Sequence, residues 1–243
     1  MFAARRIVQN QIARPTQFRS LSCSVPVFAQ SKLGQSDSDL ALKLTSELKQ
    51  EKANMDQEET QVWLDKFKST PWKILDTPGD REVSLVRQFG NEKIRAIFST
   101  DAINEANEDD DMEYDEESQG EDDESPESFP VNLTILIEKA ENKGALEIEA
   151  QIIDNSFYIE NVSFGKSELI NDPTAEGDWQ RRNLYSGPVF NNLDEDLQEE
   201  FHKYLQERGF DEELAELVPS YIEYKEQKEY MSWLDRVSKF VSL

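Results

Sequence analysis

One cysteine and one histidine leave this chain of 243 residues almost without thiol or imidazole chemistry. Cys23 stands near the start, so the remainder can form no internal disulfide and holds no thiolate nucleophile. His202 sits between Phe201 and Lys203 with no motif around it. A general base needs an oriented partner, so a lone helical histidine reads as a surface or interface residue. Glycine is scarce: no pair is spaced as in a dinucleotide loop, and no lysine follows a glycine-rich loop. CxxC and zincin patterns are missing as well. No apolar run approaches the roughly twenty residues of a membrane-spanning helix. Carboxylate pairs are so numerous that none singles out an acid–base site. No catalytic constellation, metal site or cofactor is expected; an enzyme would need a deep pocket holding a strongly shifted carboxylate.

Positive charge is also in short supply. There are 26 Lys and Arg against 51 Asp and Glu, for a net charge of −25. The exception is residues 1–36, where Arg5, Arg6, Arg14, Arg19 and Lys32 face no acid. That stretch is serine-rich, and Phe2, Ile7, Val8 and Ile12 can line one face of a short helix, the composition of a mitochondrial transit peptide. Arg19-Ser20-Leu21-Ser22 matches the matrix-protease pattern and places cleavage after Leu21. The expected location is the mitochondrial matrix. There the sequons at Asn132 and Asn161 never meet the glycosylation machinery.

What is abundant is carboxylate, and fifteen of the 51 lie in one run. Asp101, Glu105, Glu108, Asp109, Asp110, Asp111, Glu113, Asp115, Glu116, Glu117, Glu121, Asp122, Asp123, Glu124 and Glu127 follow one another without a single Lys or Arg between Arg95 and Lys139. Like-charge repulsion opposes compaction, and Ile103, Met112 and Tyr114 cannot offset the entropy of ordering. Residues 101–128 therefore read as a disordered acidic loop inserted in a single domain spanning 37–243. Asp109–Asp115 lacks the glycine and the twelfth-position glutamate of a calcium-binding hand. The loop is expected to present charge to basic partners; the alternative is a solubilising spacer.

Around the run, the hydrophobic period gives the elements. Leu40, Leu44 and Leu48 repeat every four residues, continue less regularly to Phe67, and predict one helix over Asp37–Phe67. From Trp72 the period becomes two. Strands are expected at Trp72–Asp76, Glu82–Phe89, Glu92–Ser99, Val131–Lys139, Ala145–Ile153 and Phe157–Phe164, with a seventh near Arg181–Tyr185. Tight turns and no intervening helix make this an antiparallel meander with one wet face. Two helices close the chain. Asn192 with Glu195 reads as a capping box for the first, which ends at Gly209; Asp211 caps the second, which Pro219 should break or kink. In that second helix Tyr230, Met231, Trp233, Leu234, Val237, Phe240 and Val241 spread over about half the circumference. This is wider than one sheet face needs, so Tyr230, Trp233, Leu234, Val237 and Phe240 are expected at an interface with another copy.

Tyr185-Ser186-Gly187-Pro188, Leu193-Asp194-Glu195-Asp196-Leu197-Gln198, Phe201-x-x-Tyr204-Leu205-x-Glu207-Arg208-Gly209 and Lys225-Glu226-Gln227-x-Glu229-Tyr230-x-x-Trp233-Leu234 follow one another in order. With them the whole mature chain resembles the mitochondrial acidic matrix proteins, also called the mitochondrial glycoprotein family. The resemblance implies an α+β fold: a seven-stranded, strongly twisted antiparallel sheet flanked by one N-terminal and two C-terminal helices, assembled as a doughnut-shaped homotrimer. It implies a non-enzymatic scaffold or chaperone that binds basic proteins such as ribosomal proteins or translation factors. It ties the chain to mitochondrial translation, ribosome assembly and oxidative phosphorylation. The alternative is a regulator of nucleic-acid processing that mimics phosphate or binds RNA weakly.

Overall fold

The computed structural model describes residues 34–55, 57–103, 129–140, 144–172 and 174–243. Two helices, α1 (Gln35–Asn54) and α2 (Gln57–Ser69), precede the sheet. Its strands are β1 (Lys73–Asp76), β2 (Glu82–Phe89), β3 (Glu92–Ser99), β4 (Val131–Lys139), β5 (Gly144–Ile153) and β6 (Ser156–Lys166). Short helices α3 (Ser167–Ile170) and α4 (Ala175–Arg181) and a 3-10 turn (Phe190–Asn192) lead to α5 (Glu195–Glu207) and the long α6 (Glu212–Val241).

The strands pair in chain order, all antiparallel, as the period-two alternation predicts. The register aligns Leu85, Ala96, Ile135 and Ile148 across four strands, and all four are buried. Between them, Val86, Arg95, Leu136 and Glu147 align on the opposite face. The first face meets α2, α5 and α6 in one core, in which Tyr221 lies under the rings of Trp63, Phe67 and Phe98. A small second cluster forms on the other face, where Ile170 of α3 joins Leu136 and Ala145.

Four expectations need correction. The described residues form six strands: the segment expected as the seventh lies at the end of α4, where the Asn183 and Leu184 amides donate to the Gln180 and Arg181 carbonyls. Local bonds hold this helix, with Thr174 Oγ1 accepting from the Gly177 amide and the Arg181 guanidinium donating to the Leu169 and Asp172 carbonyls. The N-terminal helix is two helices, because Met55 leaves helical backbone at φ −64°, ψ 113°. At 3.6 residues per turn, Trp63 and Phe67 would sit about 60–100° away from the Leu48 stripe in an unbroken helix. The break lets both stripes meet α6. Asp194, not Asn192, caps α5, its side chain accepting from the Asp196 amide; the 3-10 turn that buries Phe190 moves the helix start downstream. Finally, α6 runs through Pro219 without a break. The lost hydrogen bond is offset by burial of Leu214, Ala215, Leu217, Val218, Tyr221 and Ile222 on both sides of the proline.

Candidate partner-binding surfaces

The acidic insertion leaves the sheet at a defined place. β3 and β4 are hydrogen-bonded neighbours, with Ile97 opposite Thr134, so both stems of the insertion emerge at the same end of the sheet. Each stem is anchored in the core: Ala102 is buried and Ile103 packs beside it, while Phe129 packs on the core from the other side. Asp101 belongs to this anchor, its carboxylate taking Arg81 Nη1 at 2.9 Å. The other fourteen carboxylates, Glu105 to Glu127, lie outside the described residues, as do residues 1–33 with Cys23.

Two buried ion-pair clusters hold the helices to the sheet, and sequence reasoning found neither. Arg208, at the end of α5, grips Glu92 through Nε–Oε2 at 2.8 Å and Nη2–Oε1 at 3.1 Å. Lys139 joins the same carboxylate at 3.4 Å. The Arg208 guanidinium also lies 3.3 Å from the centroid of the Tyr204 ring. Burial pushes the Glu92 carboxyl up, but the Arg208 hydrogen bond and charge, with Lys139, outweigh it and hold the pKa below the ordinary value. In the second cluster Lys225 Nζ donates to Asp76 Oδ1 at 2.6 Å, and the Tyr221 hydroxyl donates to Asp76 Oδ2 at 2.8 Å. Burial again pushes Asp76 up, and the bonds from Lys225 and Tyr221 again bring it below the ordinary range. The Tyr221 hydroxyl is pushed far up, first by burial and then by its bond to Asp76. Nothing in the sequence pattern marks such clusters, because Arg208–Glu92 and Lys225–Asp76 each join residues more than a hundred positions apart.

α1 lies antiparallel along the second half of α6. Gln227 Nε2 donates to Glu51 Oε2 at 2.6 Å, and Thr45 Oγ1 and Ser238 Oγ are 3.1 Å apart. Leu44 and Leu234 are buried in this pair. Of the five residues expected at an interface, Leu234 is therefore core of its own chain, only 2 % exposed. Trp233 and Phe240 are 49 % and 78 % exposed, and Tyr230 and Val237 are half-buried. Tyr230 and Trp233 stack at 6.1 Å. Leu40 and Leu42 of α1 are exposed on the same two-helix arm. Further exposed apolar side chains, Phe164, Trp179, Leu184, Tyr185 and Val189, come from β6 and the segment after it.

Chemical groups for catalysis do not converge among the described residues. His202 makes an edge-to-face contact with Phe190 at 5.9 Å, and no group of His, Cys, Asp and Glu among these residues could hold a metal ion. No helix among them is long and apolar enough to cross a membrane.

The sequence model of the mitochondrial glycoprotein family matches residues 44–241. The mitochondrial acidic protein mam33 of Schizosaccharomyces pombe is 36% identical over 204 residues, covering 78% of this chain and 75% of that one. An uncharacterized mitochondrial protein of Arabidopsis thaliana is 27% identical over 173 residues, covering 71% of this chain and 63% of its own length. Among solved structures, a hypothetical Leishmania major protein described as a sequence homologue of human p32 aligns with a TM-score of 0.65 at 27% identity, over 85% of this chain and 99% of its own. The Trypanosoma brucei p22 protein aligns at 0.64 and 24% identity, over 86% of this chain and all of its own, a likeness of fold.

Proposed function

This chain belongs to the mitochondrial glycoprotein family, and from that premise we propose that it is a non-enzymatic acidic scaffold that holds basic proteins in the mitochondrial matrix. The observation that carries this reading is the insertion of fifteen carboxylates between two paired strands whose stems are anchored in the core. A charge run built into a folded domain is held at one end of a rigid sheet, whereas a run in a tail is not. The names of the fission-yeast and plant relatives support a mitochondrial location. The acid-free first 36 residues support import to the matrix.

The mechanism is multivalent attraction. A single exposed ion contact contributes about 0–1 kcal/mol, so useful affinity requires many acting together. A homotrimer triples the number of acidic insertions on one particle, and the exposed apolar side chains of the helical arm and of the segment after β6 offer surfaces for assembly. Ribosomal proteins and translation factors have the charge such a scaffold captures, which connects the protein to mitochondrial translation, ribosome assembly and, through these, oxidative phosphorylation.

The test replaces residues 104–128 with a short Gly-Ser linker and measures binding of a basic ribosomal protein to both forms across a salt series. The linker form is expected to bind more weakly and with a shallower salt slope, since screening acts over about 8 Å at physiological ionic strength. Equal affinity and slope would make the run a spacer and move recognition to the folded surface.

A further inference from the structure

The break between α1 and α2 leaves a turn of α6 uncovered. The result is a cleft of about 400 Å³ whose floor carries Glu223, Tyr224 and Gln227, with Glu51 and Met55 on one wall and Trp63 on the other. Positions 220, 223, 224 and 227, all of which line it, follow the spacing of one helix face. The Trp63 and Tyr224 rings meet edge to face with centroids 5.1 Å apart. Among the described residues its lining holds two carboxylates, Glu51 and Glu223, and no cation. Among the described residues the Glu51 carboxylate takes a hydrogen bond from Gln227 and meets no ammonium or guanidinium. The Tyr224 ring already draws one charge from within the chain, Lys228 Nζ, at 5.7 Å from its centroid.

We propose that this cleft is a binding site for the arginine side chain of a basic partner protein. The inference rests on the scaffold reading above and gives it a specific contact on the folded domain. Aromatic faces attract a cation through their quadrupoles, and the Glu51 carboxylate supplies an acceptor at the same place. Arginine suits the site better than lysine, because a planar guanidinium stacks on a ring while its five donors reach acceptors around the edge. The cleft is roomy enough for that side chain and open enough to admit it from an extended segment. Charge capture by the acidic insertion and docking of one arginine here are separate steps: the first is long-ranged and salt-sensitive, the second is short-ranged.

The full chain contains four tryptophans, so indole ¹⁵N–¹H spectra give four resolved probes, with Trp63 assigned through Trp63→Phe. Titration with N-acetyl-arginine amide is expected to move the Trp63 signal saturably, and N-acetyl-citrulline amide, neutral and of the same shape, is expected to leave it in place. Trp72, buried against Phe210, serves as the internal reference. Glu51→Gln should weaken the arginine titration by roughly two- to fivefold, the size of one exposed ionic contact. A Trp63 signal that stays still, or moves equally with citrulline, overturns the proposal. Binding of a basic ribosomal protein, followed on the same samples, keeps the two readings apart. Protein binding with a silent Trp63 removes the cleft and leaves the scaffold; a saturable Trp63 titration without protein binding keeps the cleft and removes the scaffold.

Discussion

Lys225 Nζ and Asp76 Oδ1, 149 positions apart in sequence, lie 2.6 Å from each other on side chains that are 1% and 17% exposed. The pair joins the middle of α6 to the edge strand β1. Glu229 Oε1 stands 3.5 Å from the same ammonium and accepts the Gly79 amide at 2.8 Å, so the β1–β2 turn is held as well.

Removing one partner strands the other. Lys225→Met or Asp76→Leu alone is expected to lower the unfolding free energy by about 3 kcal/mol, while the double variant recovers part of the loss, because two well-packed apolar residues replace two desolvated charges. Urea denaturation of the four forms gives the coupling energy. A coupling near zero would mean that the two charges act independently.

Acid should destabilise the fold through Asp76 and Glu92 together. Both carboxyls titrate lower in the folded chain than in the unfolded one. The unfolded state therefore binds protons first as pH falls, and the stability that each group contributes is complete above its unfolded pKa of about 4. Below that value it is lost progressively as pH passes through the depressed folded values. Thermal unfolding between pH 7 and pH 3 should show the midpoint falling at the acid end. The fall should be shallower in the Lys225→Met, Asp76→Leu double variant, which has one of the two groups removed. An unchanged slope would assign the acid sensitivity elsewhere.

Gly209 is required twice over. Its φ of +83° is left-handed, and a Cβ there would run into Arg87 Nη1, which donates to the Arg208 carbonyl at 2.5 Å. Gly209→Ala is expected to cost about 1–2 kcal/mol for the backbone and more for the displaced guanidinium. Gly79, at φ +89° with open space around it, isolates the backbone part. Chemical denaturation should therefore rank Gly209→Ala as clearly more damaging than Gly79→Ala. Equal losses would show that Arg87 moves aside without penalty.

These same residues show what a sequence can and cannot convey here. Alternation in Val83–Leu85 and in Ile94–Ala96–Phe98 located the strands and their buried face, because side-chain period two is local information. Gly209 and Asp211 were legible as a helix stop and a helix cap, and both take those roles. Arg181–Tyr185 reads as a strand in the sequence but follows the end of α4, because the bonds that fix this helix, at Thr174 and Arg181, are between side chain and backbone. The Met55 break carries no proline or glycine; only the mismatch between the Leu48 and Phe67 stripes signals it. The cleft at Trp63 and Tyr224 follows from that break, so it was equally invisible. In the arm, helical periodicity marks a broad apolar arc but cannot divide it between α1 and solvent.

That division yields the last prediction. Leu234 is buried under α1 while Trp233 and Phe240 of the same helix face outward. Substituting aspartate at each position should therefore have two distinct outcomes. Leu234→Asp buries a carboxylate without a partner in the α1–α6 pair, at a cost of several kcal/mol, and should lower the unfolding midpoint of the whole domain. Trp233→Asp and Phe240→Asp place the charge where the isolated chain meets water, so chain stability should change by about 0.5 kcal/mol or less. If the arm is an assembly surface, these two variants should instead lower the molar mass measured by light scattering, and the wild-type chain should return the mass of three copies. A wild-type mass of one copy refutes the trimer. Wild-type mass for Trp233→Asp and Phe240→Asp moves the interface from the arm to the exposed apolar residues after β6, where Tyr185→Asp becomes the deciding variant.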